Sequence, residues 1–232
     1  MAIRWMVTLG IGLLTGIAAA QDAPALKDQK EKLSYALGMD LGNQFKKQAV
    51  EVDADIFVKG LKDSLSGNKT LLTEQEARAA ITALQNEIRT KQMAIAKELG
   101  ENNKKEGDAF LAENKTREGV VTLDSGLQYK VLTAGEGKKP TIDDTVVCNY
   151  RGTLINGTEF DSSYKRNQPA TFPVKGVIKG WTEALQLMPA GSKWQLFIPP
   201  NLAYGERGTG NLIGPNATLV FEVELISIQA KP

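Results

Sequence analysis

The sequence has no histidine in 232 residues and a single cysteine, Cys148. Most hydrolytic and metal-dependent reactions use a histidine as general base or metal ligand, so those function classes are disfavoured. Cys148 lies in an apolar segment beside Tyr150, where we expect a buried inert thiol, because there is no histidine to activate it. The single cysteine also excludes an internal disulfide. These absences favour a function that needs shape, desolvation and a few hydrogen bonds.

An excess of charge of one sign is also absent. Lysine and arginine together number 28, aspartate and glutamate 27, and the formal net charge is +1. The net charge of the whole chain therefore does not indicate binding to nucleic acid or to a membrane surface. We expect no nucleic-acid partner.

Long apolar runs are limited to the first 20 residues. Arg4 precedes an apolar run of 16 residues, Trp5 to Ala20, which ends in three alanines. This pattern predicts a secretory signal peptide over residues 1–20, cut after Ala20. The alternative is a transmembrane anchor, but the run is shorter than the roughly 20 residues that a spanning helix needs. The prediction is an exported protein.

Proline is absent between Pro24 and Pro140, and eight of the nine prolines fall from Pro140 onward. Ten of the fifteen aromatic residues lie beyond Leu123. Such a shift in composition indicates two structural regions. We predict a signal peptide over residues 1–20, a helical domain over 21–72, a long connecting helix over 73–117 and a second domain over 118–232.

The first region has helical periodicity. One apolar stripe recurs at i+4 spacing from Leu33 to Phe45, and a second includes Ile56 and Leu65 behind a candidate cap, Asp53. Short amphipathic helices of this kind have too little partner surface within one chain. Homodimerisation through residues 21–72 would cover the stripes. The alternative is a monomeric bundle in which they pack on the long helix.

Thr73 and Glu76 have the spacing of a capping box, which marks the start of that long helix. From Lys97 to Glu118 the apolar stripe thins into mixed charge. This segment is therefore expected to be a solvated helix with salt-bridged faces. A helix of about 40 residues would be on the order of 60 Å long, so we expect a spacer or stalk.

From Ser125 onward, strands and turns are expected. Apolar and polar residues alternate around Tyr129 and around Cys148, and Asn156-Gly157 is a hairpin turn signal. One short helix, about five antiparallel strands and tight turns together predict an α+β domain. The helix is expected over residues 183–188, and two further strands over residues 193–198 and 217–228.

Five blocks of residues 145–228 carry a resemblance to a known family. They read TVVCNYRGTL, NGTEFDSSY, VIKGWTEALQLMPAGSKW, IPPNLAYGERG and IGPNATLVFEVEL. Together they resemble the FK506-binding protein family of peptidyl-prolyl isomerases. Three further blocks, LSYALGMDLGNQFKKQ, GDAFLAENK and SGLQYKVL, are especially similar to the macrophage infectivity potentiator type of bacterial isomerase.

The resemblance implies an α+β chain with an all-α dimerisation region, a long linking helix and a C-terminal antiparallel half-barrel sheet wrapped around a short helix. It implies cis-trans isomerisation of X-Pro bonds in unfolded exported proteins, with chaperone activity and with no metal or cofactor. It further implies binding of macrolides of the FK506 and rapamycin type, and a place in the periplasm or at the outer membrane or cell surface of a Gram-negative bacterium.

The same resemblance implies which residues form the site. Trp181 is the expected floor of a proline pocket, and Asp161, held by Tyr150, is expected beside the twisting bond. The Ile178 N–H and the Tyr204 hydroxyl are expected to donate to substrate carbonyls. The predicted catalytic residues are Asp161, Tyr204 and Tyr150, and the predicted substrate-binding residues are Phe160, Phe172, Val177, Ile178, Trp181, Ile213 and Phe221.

Several of these residues have an alternative interpretation. Phe172, Val177 and Phe221 would be ordinary core residues in any such sheet. Trp194 and Phe197 fall outside the matched pocket positions, so we expect them to be packing residues.

This chain has Ala170 where many single-domain members carry an aromatic, which predicts a wider or less apolar pocket on one side. The glycine-rich loop from Glu206 to Leu212 is expected to influence substrate preference. Two other functions share the same residues: a chaperone that binds without catalysis, and a surface-interaction protein whose long helix projects the domain.

Overall fold

A computed structural model describes residues 26–229 of the chain, so the predicted signal peptide lies outside the described residues. The chain divides into two compact units, Met1–Ala77 and Arg78–Pro232. Between residues 26 and 229, no helix has both the length and the hydropathy that a membrane-spanning helix needs.

Among the residues that the structure describes, the first unit contains two complete helices, α1 (Gln29–Lys47) and α2 (Ala54–Leu65), and the start of a third. Asp28 caps α1 by accepting a bond from the Glu31 N–H, and Asp53 caps α2, as its position predicted. An edge-to-face contact joins the two helices through Phe45 and Phe57, whose ring centroids are 5.8 Å apart. Neither helix buries a residue within the single chain, so their apolar stripes lie exposed.

Helix α3 (Glu74–Asn114) has 41 residues and begins with the predicted capping box. The Thr73 N–H donates to Glu76 at 2.8 Å, and the Glu76 N–H donates to the Thr73 hydroxyl at 3.2 Å. The helix ends three residues before the predicted position 117, in a turn stabilised by the bond from Thr116 N–H to the Glu113 carbonyl.

The expectation of a solvated segment from Lys97 onward is wrong for one face of α3. Gly100, Gly107 and Asn114 are buried, and they recur at intervals of seven residues on one side of the helix. Only the remaining faces carry exposed ion pairs, such as Lys104 with Asp108 at 2.9 Å. Glycine contributes no apolar side chain, so a helix face packed through glycines leaves no periodic signal in the sequence.

The second unit contains a seven-stranded antiparallel sheet in the order β1-β2-β6-β7-β3-β4, with β5 paired to β3. The sequence predicted about five strands; β1, β4 and β5 are only three or four residues long, too short for alternation to show. The strands are β1 (Val120–Thr122), β2 (Gln128–Thr133), β3 (Thr145–Leu154), β4 (Glu159–Ser162), β5 (Ala170–Pro173), β6 (Lys193–Ile198) and β7 (Leu219–Gln229).

Strand β3 organises the functional end of the sheet. One edge pairs with β7 from Thr145 to Leu154, whereas the other edge pairs first with β5, up to Cys148, and then with β4, from Arg151. Tyr150 lies where the partner changes. Its backbone is instead bonded to Ser163, whose hydroxyl accepts from the Tyr150 N–H at 2.9 Å.

Helix α4 (Lys179–Leu187) packs against the inner face of the sheet. It begins four residues before the predicted start at Glu183. The prediction placed Gly180 before the helix, whereas Gly180 is its second residue. A Cβ on Gly180 would lie 2.6 Å from Ile198 Cγ2, so glycine allows the helix to approach β6 closely. Trp181, Ala184 and Leu185 are buried between helix and sheet, which confirms the predicted α+β half-barrel around a short helix.

Candidate active site

A cavity of about 720 Å³ opens between the first turn of α4 and the inner face of the sheet. Strands β3, β4, β5 and β7, the residues before α4 and the loop before β7 supply its walls. It is lined by all ten residues that the sequence predicted for the site, namely Tyr150, Phe160, Asp161, Phe172, Val177, Ile178, Trp181, Tyr204, Ile213 and Phe221. A second cavity of about 310 Å³, beside the end of α3, contains none of them.

Trp181 forms the floor of the larger cavity and is 3% exposed. Its indole makes edge-to-face contacts with Tyr150, Phe172 and Phe221 at centroid distances of 5.3, 5.6 and 5.3 Å. Such contacts add to the energy of burial and fix the orientation of the rings. The indole N–H has no acceptor within residues 26–229. The floor is therefore an aromatic surface whose orientation is fixed by three ring contacts.

Gly152 makes room for two of the aromatic walls. It lies on the same face of β3 as Tyr150, two residues away, where a side chain would point into the cavity. A Cβ at this position would lie 2.6 Å from both the Phe160 and the Phe221 ring. Because glycine occupies it, these rings meet edge to face at 5.4 Å.

Two side chains hold the acid of the site, in addition to the N–H of Ser162, which donates to Asp161 Oδ1 at 2.8 Å. The Tyr150 hydroxyl donates to Asp161 Oδ2 at 2.5 Å. Arg166 donates from Nη1 to Asp161 Oδ1 and from Nη2 to the Tyr150 oxygen, each at 2.6 Å. The sequence predicted the contact between Tyr150 and Asp161 but missed Arg166. Arg166 ends a 3-10 turn, and the next residue, Asn167, takes the left-handed conformation (φ 51°).

These contacts set the charge of each group. Burial alone would raise the pKa of Asp161, but the bonds from Tyr150 and Arg166 outweigh it and hold that pKa below its ordinary value. Burial, reinforced by the bond to Asp161, raises the pKa of Tyr150. At neutral pH the pair is therefore a carboxylate and a neutral phenol.

Two other groups of the site have hydrogen-bond donors that are free to bind a ligand. Within the described part of the chain, neither the Ile178 N–H nor the Tyr204 hydroxyl has a protein partner. Ile178 precedes α4 in an extended conformation, and Tyr204 is 39% exposed at the rim of the cavity. Both groups can therefore bond to a carbonyl that enters the cavity.

The loop before β7 lines more of the cavity than the sequence indicated. Thr209 and Ile213 pair through two backbone bonds, of 2.8 and 3.3 Å. Gly208 and Gly210 have φ values of 63° and 59°, which glycine adopts without strain. Thr209, Gly210, Asn211 and Leu212 belong to the glycine-rich loop that is expected to influence substrate preference, and all four line the cavity. Gly176 also lines it and was not predicted.

The alternative interpretations have separate outcomes. Phe172, Val177 and Phe221 pack on the core, and all three also line the cavity. Trp194 and Phe197 are packing residues, as predicted: both are buried and neither lines the larger cavity.

Ala170 is opposite Cys148 in the pairing of β3 and β5, and it is not among the residues that line the cavity. The thiol of Cys148 is fully buried, and burial raises its pKa to about 12, as expected of an inert cysteine.

Family comparisons cover both halves of the chain. Residues 30–131 match the domain amino terminal to FKBP-type peptidyl-prolyl isomerase, and residues 136–226 match the FKBP-type peptidyl-prolyl cis-trans isomerase domain. The outer membrane protein MIP of Legionella longbeachae is 49% identical over 95% of this chain and 94% of its own length. The peptidyl-prolyl cis-trans isomerase Mip of Coxiella burnetii is 48% identical over 96% of both chains.

Among solved structures, the crystal structure of FkpA from Escherichia coli superimposes with a TM-score of 0.68 at 39% identity, over 90% of this chain and all of that one. The two family-domain matches, the similarity to these relatives over nearly their full length and the aromatic cavity all support the same assignment. The chain belongs to the FKBP-type peptidyl-prolyl cis-trans isomerases.

Proposed function

We propose that the cavity floored by Trp181 binds the proline of an unfolded polypeptide and catalyses rotation about the preceding X-Pro bond. The observation that carries this proposal is the combination of an aromatic cavity with two unused donors, Ile178 N–H and the Tyr204 hydroxyl, and one carboxylate, Asp161. A pyrrolidine ring fits the apolar floor, and the polar groups at the rim fit the flanking peptide carbonyls.

The chemistry requires only a better environment for the twisted amide. Rotation about an X-Pro bond has a barrier of about 18–20 kcal/mol, because the amide loses resonance as it twists. In the twisted state the carbonyl oxygen is less negative and the nitrogen becomes pyramidal. A cavity that removes water from the carbonyl disfavours the planar, more polar ground state, and each 1.36 kcal/mol of preferential stabilisation is about tenfold in rate.

The polar residues then orient the substrate. We assign the Ile178 N–H and the Tyr204 hydroxyl to carbonyls on either side of the proline. Asp161, ionised and fixed by Tyr150 and Arg166, lies beside the bond that twists. Its role is electrostatic and no proton is transferred, which agrees with a pKa below the ordinary range.

Residues 21–72 are proposed to be a dimerisation domain. Leu33, Leu37 and Leu61 are 59, 61 and 50% exposed within the single chain. An exposed apolar stripe of this extent on two short helices is typical of an interface. A second copy of the same chain would cover it and would bring two isomerase domains into one molecule.

The partners and the location are proposed from the predicted leader and from the relatives. Residues 1–20 have the pattern of a signal peptide, and one relative is named an outer membrane protein. We propose an exported protein of the periplasm or outer membrane of a Gram-negative bacterium. Its clients are proline-containing unfolded chains, and macrolides of the FK506 type would compete for the cavity.

The test is a cis-to-trans proline peptide assay of the mature chain, with and without FK506. We expect a rate above the uncatalysed isomerisation, suppressed when FK506 is added. A rate equal to that of the buffer would overturn the proposal. Undiminished activity at saturating FK506 would contradict the assignment to this cavity.

A chaperone activity is proposed alongside catalysis, because a cavity that accepts a proline also binds unfolded chains reversibly. Suppression of aggregation by the mature chain should weaken when FK506 fills the cavity. If FK506 abolishes isomerisation but leaves aggregation suppression unchanged, the chaperone surface lies elsewhere on the chain.

A further inference from the structure

The last third of α3 lies against the loop that ends in β7. A Cβ on Gly100 would lie 3.1 Å from Pro215 Cβ, and a Cβ on Gly107 would lie 2.3 Å from the Thr218 hydroxyl. Larger residues at these two positions would therefore push the helix away from the loop. The two glycines allow the helix backbone and the loop to meet directly.

Two side-chain amides join the helix to the loop at this contact. Asn103 donates from Nδ2 to the Pro215 carbonyl at 2.7 Å, and its side chain is partly buried. Asn216 donates back from Nδ2 to the Gly100 carbonyl at 3.4 Å. The Asn103 bond replaces water at a carbonyl that belongs to neither helix nor strand, so its loss would weaken the attachment of the loop to the helix.

The same loop continues into the wall of the cavity. Pro215 is two residues beyond Ile213, which pairs with Thr209 and lines the cavity. The Asn216 N–H donates to the Gly205 carbonyl at 2.9 Å, next to Tyr204. The Asn103 contact thus lies behind the two parts of the loop that present Ile213 and Tyr204.

We propose that Asn103 is a positioning residue for the isomerase site: by holding Pro215, it keeps Ile213 and Tyr204 in place to bind substrate. This inference rests on the function proposed above. The floor and the acid of the site are supplied by α4, β3 and β4, to which the Asn103 side chain makes no hydrogen bond. Asn103 therefore contributes to substrate affinity and much less to the rotation step.

The test compares Asn103→Asp with Asn102→Asp in the full mature chain. Asn102 is the preceding residue of the same helix and is exposed, so it receives the same change of charge without the contact. The carboxylate that replaces the Asn103 amide cannot donate to the Pro215 carbonyl and would repel it. We expect KM to rise about three- to tenfold in Asn103→Asp with kcat within about twofold of the unchanged chain, and hydrogen exchange at Thr209 and Ile213 to accelerate.

Equal KM values in the two variants, or a loss confined to kcat, would overturn the proposal. If Asn103→Asp does not fold, Asn103→Ala against Asn102→Ala decides the question, with an expected rise in KM of about threefold. An unchanged chain that does not catalyse isomerisation counts against the proposed function instead. Hydrogen exchange at Thr209 and Ile213 then decides alone whether Asn103 holds the loop. Equal exchange rates in the two variants would overturn the positioning role of Asn103.

Discussion

Tyr150 and Asp161 are joined by a hydrogen bond of 2.5 Å between side chains on neighbouring strands. The bond forms where β3 changes its partner from β5 to β4, so the phenol and the carboxylate face the same cavity. Arg166 binds both groups and fixes the carboxylate from the other side. The position of Asp161 is therefore set by the pairing of the strands and by the short turn that carries Arg166.

Asp161→Asn should lower kcat/KM about tenfold. The substitution keeps the size of the side chain but removes the charge beside the twisting bond and the ion pair with Arg166, and bonds to charged groups contribute about 1.5–3 kcal/mol. The measurement is the peptide isomerisation assay. Because the Asp161 side chain is 44% exposed, the free energy of unfolding should change by no more than about 1 kcal/mol.

Asp143→Asn is the control for this substitution. Asp143 also pairs with a cation, Lys175 at 3.4 Å, but it is exposed and is not among the residues that line the cavity. It should leave kcat/KM unchanged. A wild-type rate in Asp161→Asn would remove Asp161 from the catalytic machinery.

Tyr204→Phe should lower kcat/KM about three- to tenfold, since it removes one donor to a substrate carbonyl. Its hydroxyl has no protein partner within residues 26–229, so stability should not change. Tyr164→Phe is the matched control, because Tyr164 is similarly exposed, 43% against 39%, and lies outside the cavity. If both variants lose activity equally, the assigned role of Tyr204 is wrong.

The pH dependence of the reaction should be flat from about pH 5 to pH 8 for a peptide without titrating groups. The chain has no histidine, and burial raises the pKa of Cys148 to about 12. The bonds from Tyr150 and Arg166 hold the pKa of Asp161 below its ordinary value, against the effect of burial. The ionised acid therefore stabilises the folded state above about pH 4, and this contribution is lost as the pH falls through the folded-state pKa.

The measurements are kcat/KM and the free energy of unfolding as functions of pH. Activity should fall only on acidification below about pH 4, and it should do so less steeply in Asp161→Asn. A limb of the rate profile near pH 6.5 would contradict this assignment, because no group of the site is expected to titrate there.

Local signals predicted the helices of the first unit and the start of α3. Asp53 and the pair of Thr73 and Glu76 act through neighbours within three residues, so their caps are readable from the sequence. The burial of Gly100 and Gly107 depends on Pro215 and Thr218, more than 100 residues away. No local pattern can reveal a contact of that kind.

The residues of the site were likewise predicted in part and missed in part. The ten named residues were found through the family motifs, and the sheet, helix α4 and the loop before β7 bring them into one cavity. Arg166 was missed because its role depends on the 3-10 turn between β4 and β5, two strands too short to be predicted. For Thr209 and its neighbours the sequence indicated only a glycine-rich loop, because their place in the wall depends on a backbone shaped by two glycines with positive φ.

Leu37→Glu should convert a dimer of the mature chain into a monomer. Leu37 is 61% exposed within the single chain and lies in the middle of the apolar stripe of α1, so a carboxylate there would be buried without a partner in the dimer. Asn43→Glu is the matched control: it adds the same charge to the same helix, about 120° around the axis from Leu37.

Sedimentation of both variants measures the mass. The isomerase rate per chain on a short peptide should be equal in both, because each cavity is built from residues of the second unit alone. If Leu37→Glu sediments with the mass of the unchanged chain, α1 does not form the interface, and an unchanged chain that is itself monomeric would refute the dimer.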